Sequence, residues 1–396
     1  MLISQPMIML KQRPSWLLST ERFCCFLASL FPKVFFTSLS LWSLYVLIFV
    51  VNEEYINQEY HKPTLAIISS IFGVLLCALS VYTYYKVIWI GAGSPLDFDM
   101  LHLSNPSPQY LSSNPFDVVP PESSQPLLDN DDIENHHNNR QNDIFPPEPP
   151  SQYISFHTFS SSKPVRYCNK CQVWKPDRTH HCSSSNKCIL RMDHYCPWFS
   201  TCIGFRNQKF FIQFLGYLAT YSFYLFISSF AVLYVFFIEE QYTNGFISVS
   251  LIILFVLSLS FSLALGVFFL FSVYLLLQNL TTIEFQDQRW AKHESNSFLY
   301  EFDPRGKKQK LGHIYDLGYK KNWTSIMGDN WVHWILPIAS TSNSITDKYN
   351  NGVNFEIDEP VYEKWTKNLQ LQEQLNQQLA DYKNRLRTER EAGNIV

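Results

Sequence analysis

The chain has 396 residues, a formal net charge of −3 and an aromatic content of 16%. A charge so close to neutral argues against a nucleic-acid-binding protein, which would carry a clear excess of Lys and Arg. The mean hydropathy of −0.08 conceals the architecture, because very apolar blocks alternate with very polar ones.

Four apolar blocks are long enough to cross a bilayer, which takes about 20 apolar residues. They lie at residues 34–51, 64–90, 210–238 and 246–277. The alternative is a set of buried helices in a large soluble protein. It is disfavoured because residues 250–271 contain no charged side chain. The sequence therefore predicts an α-helical integral membrane protein with transmembrane helices 1 and 2 in residues 34–90 and helices 3 and 4 in residues 210–277.

The N-terminal segment, residues 1–33, does not resemble a signal peptide, because Pro32 and Lys33 interrupt its apolar run and no small-residue cleavage site follows. We expect an interfacial helix there, leading into the first span.

The distribution of Lys and Arg predicts the orientation in the membrane. The two short loops between spans carry at most one Lys, whereas residues 91–209 carry ten Lys or Arg and the tail after residue 277 carries fifteen. We therefore expect both termini and the long middle segment on the cytosolic side.

Two polar regions lie outside the spans, one after the second span and one after the fourth. Residues 91–165 are rich in Pro, Ser and Asn and are predicted to form a disordered linker, because they bury too little apolar surface to fold. In the cytosolic tail, residues 278–396, the stretch 322–338 has three Trp and suits an amphipathic element at the membrane surface. Residues 361–391 are predicted to form a solvated polar helix, since their apolar seam is too short for a coiled coil.

A cysteine-rich module occupies residues 166–209. Six of the nine Cys fall between Cys168 and Cys202, and on the reducing side of the membrane such clustering indicates metal binding or catalysis. Cys168 and Cys171 form a C-x2-C pair, and His181 and Cys188 can complete a tetrahedral zinc site. A closed site of this kind is structural and supplies folding energy to a module without a core of its own. The alternative is a set of unliganded thiols.

The module resembles the cysteine-rich domain of the DHHC family of protein S-acyltransferases, with "DHYC" at residues 193–196. The resemblance extends to the four-span layout, to the family's TTxE motif at residues 281–284, and to its C-terminal Asn-to-Gly motif at Asn322 and Gly328. The segments "GSPLDF", "CQVWKPDR", "GFRNQKFFIQF" and "WILPI" resemble the fungal subgroup that acts at the vacuole. The Asp-Pro-Gly motif usual after the second span is absent.

The resemblance implies two zinc ions, each held by three Cys and one His. The first set carries over intact. The second would use the positions of Cys182, Ser185, Tyr195 and Cys202, where two of the four ligands are replaced. We therefore expect about one zinc per chain, with the Tyr195 ring filling the gap and its hydroxyl bonding Ser185 or a backbone group. A rival interpretation is a degenerate, inactive module.

The resemblance also makes Cys196 the nucleophile. His194 precedes it by two residues and would act as its base, and Asp193 would orient His194 by bonding the other ring nitrogen. The implied reaction transfers a long-chain acyl group, palmitate, from acyl-CoA through Cys196 to a cysteine of a cytosolic or membrane-associated protein. The residues considered for the CoA phosphates are Lys187, Arg191, Arg206 and Lys209. Their alternative role is a basic face against anionic membrane lipid.

Two other classes of function compete with this enzyme. One is a zinc-stabilised membrane scaffold in which Cys196 is structural. The other is a RING-like ubiquitin ligase, which needs two cross-braced zincs where this module can fill one. The preserved pair Asp193 and His194 beside Cys196 favours the enzyme. The resemblance alone suggests the vacuolar membrane, and no nucleic-acid partner is expected.

Overall fold

The structure is a computed structural model that describes residues 15–102, 157, 166–239, 247–290, 300–302, 305–339, 349 and 351–391. The chain divides into two units. The helical unit comprises Met1–Trp89, Tyr195–Thr201 and Phe210–Phe269. The cysteine-rich unit comprises Ile90–His194, Cys202–Lys209 and Leu270–Val396.

Four long helices contain the apolar blocks. Helix α1 spans Ser15–Tyr45 and continues as a π-helix, Val46–Glu59; α2 spans Pro63–Ile90; α3 spans Gln208–Tyr234 and continues as a π-helix, Val235–Glu239; α4 spans Val249–Leu277. All four are long and apolar enough to cross a membrane, with mean hydropathies between 1.9 and 2.6. They confirm the predicted fold class, four transmembrane helices accompanied by a cysteine-rich module.

The helix that contains the first apolar block extends beyond residues 34–51 at both ends. Helix α1 passes through Pro32 without ending, although proline has no N–H to donate to the preceding turn. Beyond residue 51 the π-helix continues because Asn52 finds partners in α2. The Asn52 side chain is 1% exposed; its amide donates to Ser70 Oγ (2.8 Å) and its carbonyl accepts from Ser69 Oγ (2.8 Å).

The helical unit packs around an apolar core supplied by all four spans. Its members include Val46, Leu47, Leu76, Tyr221 and Leu254. Gly73 allows α2 to approach the first span closely, since a Cβ atom there would lie 2.3 Å from Leu47 Cδ2. Small residues of this kind let membrane helices pack tightly in the absence of a water-driven hydrophobic force.

The cysteine-rich module consists of three antiparallel hairpins with three-residue strands. They pair β1 (Arg166–Cys168) with β2 (Val173–Lys175), β3 (His180–Cys182) with β4 (Lys187–Ile189), and β5 (His194–Cys196) with β6 (Thr201–Ile203). A fourth hairpin, β7 (Tyr300–Phe302) and β8 (Lys308–Lys310), lies in the tail. Strands this short bury little surface on their own and depend on what is packed against them.

Segments from both ends of the cysteine-rich unit complete its core. Leu101 and Trp174 are buried in one cluster with Ile314, Phe355 and Trp365 from the tail. Residues 95–97 and 99–101, which the sequence assigned to the linker, form two 3-10 turns, and Leu101 is fully buried because it joins this cluster. Residues 103–156 and 158–165 of the predicted linker lie outside the described residues.

The described part of the tail contains four further helices: α5 (Thr282–Trp290), α6 (Tyr319–Met327), α7 (Val332–Ile335) and α8 (Glu359–Glu391). Helix α8 confirms the predicted polar helix. Its apolar residues Leu375 and Leu379 are each 54% exposed.

Candidate functional site

Four potential metal ligands converge between the first two hairpins. The ligand atoms of Cys168, Cys171, His181 and Cys188 all lie within 4.8 Å of one another. His181 Nδ1 is 3.5 Å from Cys168 Sγ, 3.3 Å from Cys171 Sγ and 3.9 Å from Cys188 Sγ. A tetrahedral zinc with ordinary bond lengths would place a sulfur and a nitrogen ligand about 3.6 Å apart. The arrangement therefore fits zinc.

The backbone explains why these four side chains meet. After Cys168 the chain makes a tight turn in which Gln172 N–H donates to the Cys168 carbonyl (2.7 Å), with Gln172 at a φ of 52°. In the second hairpin His181 and Cys188 are directly paired across the strands. Ser94 Oγ donates to the Cys188 carbonyl (2.7 Å) and holds strand β4 from outside.

The crowding of three thiols favours a cation between them. Cys188 donates a hydrogen bond to Cys168, which lowers the pKa of Cys168 to about 4, while the same bond and burial raise the pKa of Cys188. Burial and the neighbouring Cys168 also raise the pKa of Cys171. One thiolate therefore suppresses ionisation of the others. A divalent ion would remove this repulsion and allow all three to bind as thiolates.

The second predicted ligand set has a different arrangement. Ser185 lies between two buried thiols: its N–H donates to Cys182 Sγ (3.4 Å) and its hydroxyl is 3.5 Å from Cys202 Sγ. Burial raises the pKa of Cys202 to about 12, as expected for a neutral thiol in an apolar setting. Within the part of the chain that the structure describes, no metal-binding cluster forms around these residues.

Asp193 orients His194. One carboxylate oxygen of Asp193 accepts from His194 Nδ1 at 2.6 Å, and the other accepts from Thr282 N–H at 2.7 Å. The Thr282 hydroxyl donates to the Asp193 backbone carbonyl. Thr282 is the first residue of helix α5, so the N-terminus of that helix holds the aspartate in place.

A buried ion pair supports this helix terminus. Arg178 contacts Glu284 through two nitrogens at 2.7 and 2.8 Å, and Glu284 also accepts from Thr281 N–H at 2.8 Å. Burial alone would raise the pKa of Glu284, but Arg178 keeps it well below its usual range. Arg178 also donates to the Asn279 carbonyl and side chain. The module is thus joined to α5 by a charged network.

Asn322 links the C-terminal motif to the end of α4. Its amide donates to the Leu277 carbonyl (2.7 Å) and to Asp316 Oδ1 (2.6 Å), and its own carbonyl accepts from Leu317 N–H (3.0 Å). The Asn322 side chain is fully buried. It therefore satisfies a carbonyl that the helix end would otherwise leave unpaired.

Cys196 lies at a large cavity within the helical unit. The cavity has a volume of about 340 Å³, and Cys196, which is 8% exposed, is one of its lining residues. The lining is almost entirely apolar and includes Phe36, Tyr84, Phe199 and Phe214. The Ser43 and Tyr221 hydroxyls, 3.1 Å apart, also line it. An elongated apolar ligand suits such a space.

The chain is similar over most of its length to known proteins of one family. A family model described as DHHC palmitoyltransferase matches residues 161–289. A palmitoyltransferase PFA3 from Debaryomyces hansenii is 49% identical over 405 residues, covering 99% of this chain and 98% of the relative. The chain belongs to the DHHC palmitoyltransferase family.

Two further relatives carry the same name. The palmitoyltransferase PFA3 of Candida albicans is 47% identical, covering 96% of both chains. That of Kluyveromyces lactis is 32% identical, covering 78% of this chain and 85% of the relative. The similarity therefore extends from the DHHC module into the spans and the tail.

The four basic residues considered for CoA phosphates occupy two kinds of environment. Lys187 and Arg206 are exposed, and Arg206 Nη1 pairs with Asp97 (2.8 Å). Lys209 is 5% exposed and Arg191 only 1%. Arg191 donates to Gln208 and to Asn279 (2.8 Å), and burial together with nearby Arg178 lowers its pKa to about 9. Arg191 is thus an interior cation that orders the module.

Sequence reasoning missed several residues of this DHHC module and its surroundings. Nothing in the sequence indicated that Arg178 and Asn279 interact, yet their side chains form a hydrogen bond across about 100 residues of sequence. The one available signal was that Arg178 lies in "CQVWKPDR", a segment that resembles the fungal subgroup. Tyr84, in the second span, carried no signal beyond its apolar surroundings.

Proposed function

We propose that this chain is a protein S-palmitoyltransferase that forms a thioester on Cys196 and passes the acyl group to a cysteine of a protein substrate. The observation that carries the proposal is the position of Cys196 at a large apolar cavity among helices that can cross a membrane. The family relationship supports the same chemistry.

The chemistry needs a base beside the thiol. Cys196 and His194 are two residues apart on strand β5, and side chains so spaced on a strand project to the same side. Because His194 Nδ1 is engaged by Asp193, Nε2 is the nitrogen that would take the proton. Asp193 holds this tautomer and stabilises the imidazolium that forms.

The reaction then has two balanced steps. In the first, the Cys196 thiolate attacks the thioester carbonyl of acyl-CoA, the bond to the CoA sulfur breaks, and CoA leaves with the proton held by His194. In the second, the thiol of the protein substrate gives its proton to His194 and attacks the new thioester, and Cys196 leaves as thiolate. The cavity would hold the acyl chain through both steps.

Zinc supplies folding energy rather than chemistry in this proposal. The four converging donors would hold one structural ion. Every coordination position would be taken by the protein, so no step of the reaction passes through the metal.

The remaining interactions follow from exposure and charge. We propose that Lys187 and Arg206 bind the CoA phosphates, because they are the exposed members of the basic set.

We also propose that both termini are cytosolic, because of the distribution of Lys and Arg. A vacuolar membrane location rests on the resemblance of the quoted segments to a fungal subgroup.

The test is self-labelling of the purified full-length protein by a labelled palmitoyl-CoA. Wild type should acquire a hydroxylamine-labile acyl group, Cys196→Ser should acquire none, and both should contain the same amount of zinc. Cys24→Ser is the matched control, since Cys24 is exposed on α1 and should be dispensable. Equal labelling of wild type and Cys196→Ser would contradict the proposal, and loss of zinc from Cys196→Ser would make Cys196 a structural residue.

A further inference from the structure

The turn that follows Cys196 is attached to the membrane helices at defined points, all inside the helical unit. Phe199 N–H donates to the Cys196 carbonyl (3.2 Å), which closes a four-residue turn with Pro197 at its second position. Ser200 N–H donates to the Pro197 carbonyl (3.1 Å), and Ser200 adopts a positive φ of 53°. Cys196 is therefore the first residue of a tight, locally bonded turn.

The third residue of such a turn has a carbonyl that the turn itself does not use. In this chain it belongs to Trp198, and the hydroxyl of Tyr84 donates to it at 2.7 Å. Tyr84 belongs to α2 and is 1% exposed. A buried hydroxyl and a backbone carbonyl of a turn thus satisfy each other.

The ring of Tyr84 is held as firmly as its hydroxyl. It stacks on Phe36 of α1 with centroids 4.3 Å apart, and on Phe199 of the turn with centroids 4.9 Å apart. Phe199 in turn makes an edge contact with Phe214 of α3 at 5.1 Å. The ring position is therefore fixed from both sides, which aims the hydroxyl at the turn.

A weaker second attachment serves the same turn. The Ser200 hydroxyl donates to the Ser29 carbonyl of α1 at 3.2 Å. The two bonds join the turn to two different spans.

We propose that Tyr84 is a positioning residue for acyl transfer, holding the turn of residues 196–199 by its bond to the Trp198 carbonyl so that the Cys196 thiol stays at the mouth of the acyl cavity. This inference rests on the proposed function. Tyr84 would act on the reaction through the backbone of the turn, by its bond to the Trp198 carbonyl. Small displacements of a reacting group can lower a rate substantially, so losing the bond should slow the acylation step.

The test compares Tyr84→Phe with wild type in single-turnover acylation by palmitoyl-CoA. The substitution keeps the ring stack and removes only the hydroxyl. We expect the maximal acylation rate to fall about five- to tenfold, in line with the loss of one net hydrogen bond, while the concentration of palmitoyl-CoA at half-saturation stays within about twofold. Zinc content and the shape of the pH profile should not change.

Tyr82→Phe is the matched control. Tyr82 lies two residues earlier on α2, is 48% exposed, and accepts a hydrogen bond from Lys86 (3.2 Å), so it also loses a bonded hydroxyl. It should acylate at the wild-type rate. If Tyr84→Phe is too unstable to purify, Ser200→Ala is the second test, because it removes the hydrogen bond to the Ser29 carbonyl. Its maximal acylation rate should fall about two- to threefold, with the half-saturating concentration of palmitoyl-CoA unchanged.

The outcomes distinguish the positioning role of Tyr84 from the proposed acyl transfer through Cys196. If wild type does not acylate on Cys196, the proposed function fails. If wild type acylates and Tyr84→Phe does so at an equal maximal rate, the positioning role fails alone. The positioning role would also be refuted if Tyr84→Phe changed only the half-saturating concentration of palmitoyl-CoA. It would be refuted as well if Tyr82→Phe lowered the maximal acylation rate by the same factor.

Discussion

The two cysteine clusters of the module show how similar hairpins can be stabilised differently. In the first, three thiols and His181 converge within 4.8 Å, and His181 Nδ1 lies 3.3 Å from Cys171 Sγ. In the second, Ser185 bonds both Cys182 and Cys202, and the two thiols stay inside the protein without further ligands around them in the described chain.

The difference teaches that a metal and a hydrogen-bond network can stabilise equivalent places in a small module. In the first cluster the three thiols lie close enough to repel one another once ionised, so a bound cation would stabilise them. The segment next to the second cluster is held by other means, since Asp193 is bonded by Thr282, and Arg178 pairs with Glu284. We expect these bonds to stabilise the segment beside the second cluster without a metal ion.

Removing a ligand of the first cluster should have the largest effect. Cys188→Ser should abolish zinc binding and leave the cysteine-rich unit unfolded, because a structural zinc contributes on the order of 10 kcal/mol to folding. Zinc analysis and limited proteolysis of the purified protein measure both effects. Retention of zinc by a folded Cys188→Ser protein would show that the first cluster is not the metal site.

Replacing His194 should reduce activity without touching the metal. His194→Ala should slow self-acylation about 10²- to 10⁴-fold near neutral pH, the usual contribution of a general base, and recover part of the rate at high pH as hydroxide replaces it. The self-acylation rate across pH is the measurement. Unchanged rates at neutral pH would remove His194 from the mechanism, and loss of zinc would place it in a metal shell instead.

Breaking the buried Arg178–Glu284 ion pair tests whether this network stabilises the folded protein. Glu284→Gln should destabilise the protein by about 3 kcal/mol, since it leaves the buried Arg178 without its counter-ion. The matched control is Glu356→Gln, which removes an exposed pair with Lys321 and should cost less than about 1 kcal/mol. Thermal unfolding at pH 7 compares them, and equal stabilities would refute the role of the network.

The same pair predicts a pH dependence with a definite sign. The folded-state pKa of Glu284 is lowered by Arg178, so its stabilisation is present above the unfolded value of about 4.3 and is lost as the pH falls toward the lower folded value. The stability gap between wild type and Glu284→Gln should stay constant from pH 7 to about pH 5 and shrink below about pH 4. A gap that grows on acidification would contradict this assignment.

The smallest effect is expected at the second cluster. Cys202→Ser should keep zinc at the wild-type level and cost about 1 kcal/mol, because it weakens one hydrogen bond with Ser185 in a buried site. It carries the same substitution as Cys188→Ser, so the two variants compare the clusters directly. Loss of zinc from Cys202→Ser would show that the second cluster still binds metal.

The sequence predicted those features that local patterns determine. Uninterrupted apolar blocks indicated all four spans, and the C-x2-C spacing indicated the first metal cluster. The length of the first helix could not be predicted, because Asn52 is buried within it only through its bonds to Ser69 and Ser70. Local composition contains no information about such partners.

The features that the sequence did not predict are contacts between residues far apart in the chain. The Arg178–Glu284 pair joins residues 106 positions apart, and the Tyr84–Trp198 bond joins residues 114 apart. In a single sequence, neither residue type nor spacing predicts such pairs. The same limit applies to Arg191, whose charge suggested a phosphate contact until its burial and its bond to Asn279 assigned it to the interior.

The most direct test of the central claim is the zinc content of protein that has acylated itself. Wild-type protein would be loaded with a clickable palmitoyl-CoA analogue, captured through its acyl group, and analysed for metal and protein in the same sample. The account predicts about one zinc per acylated chain, since four ligands converge only once among the described residues. A ratio near two in the acylated fraction would contradict it, because the active protein would then hold a second metal ion.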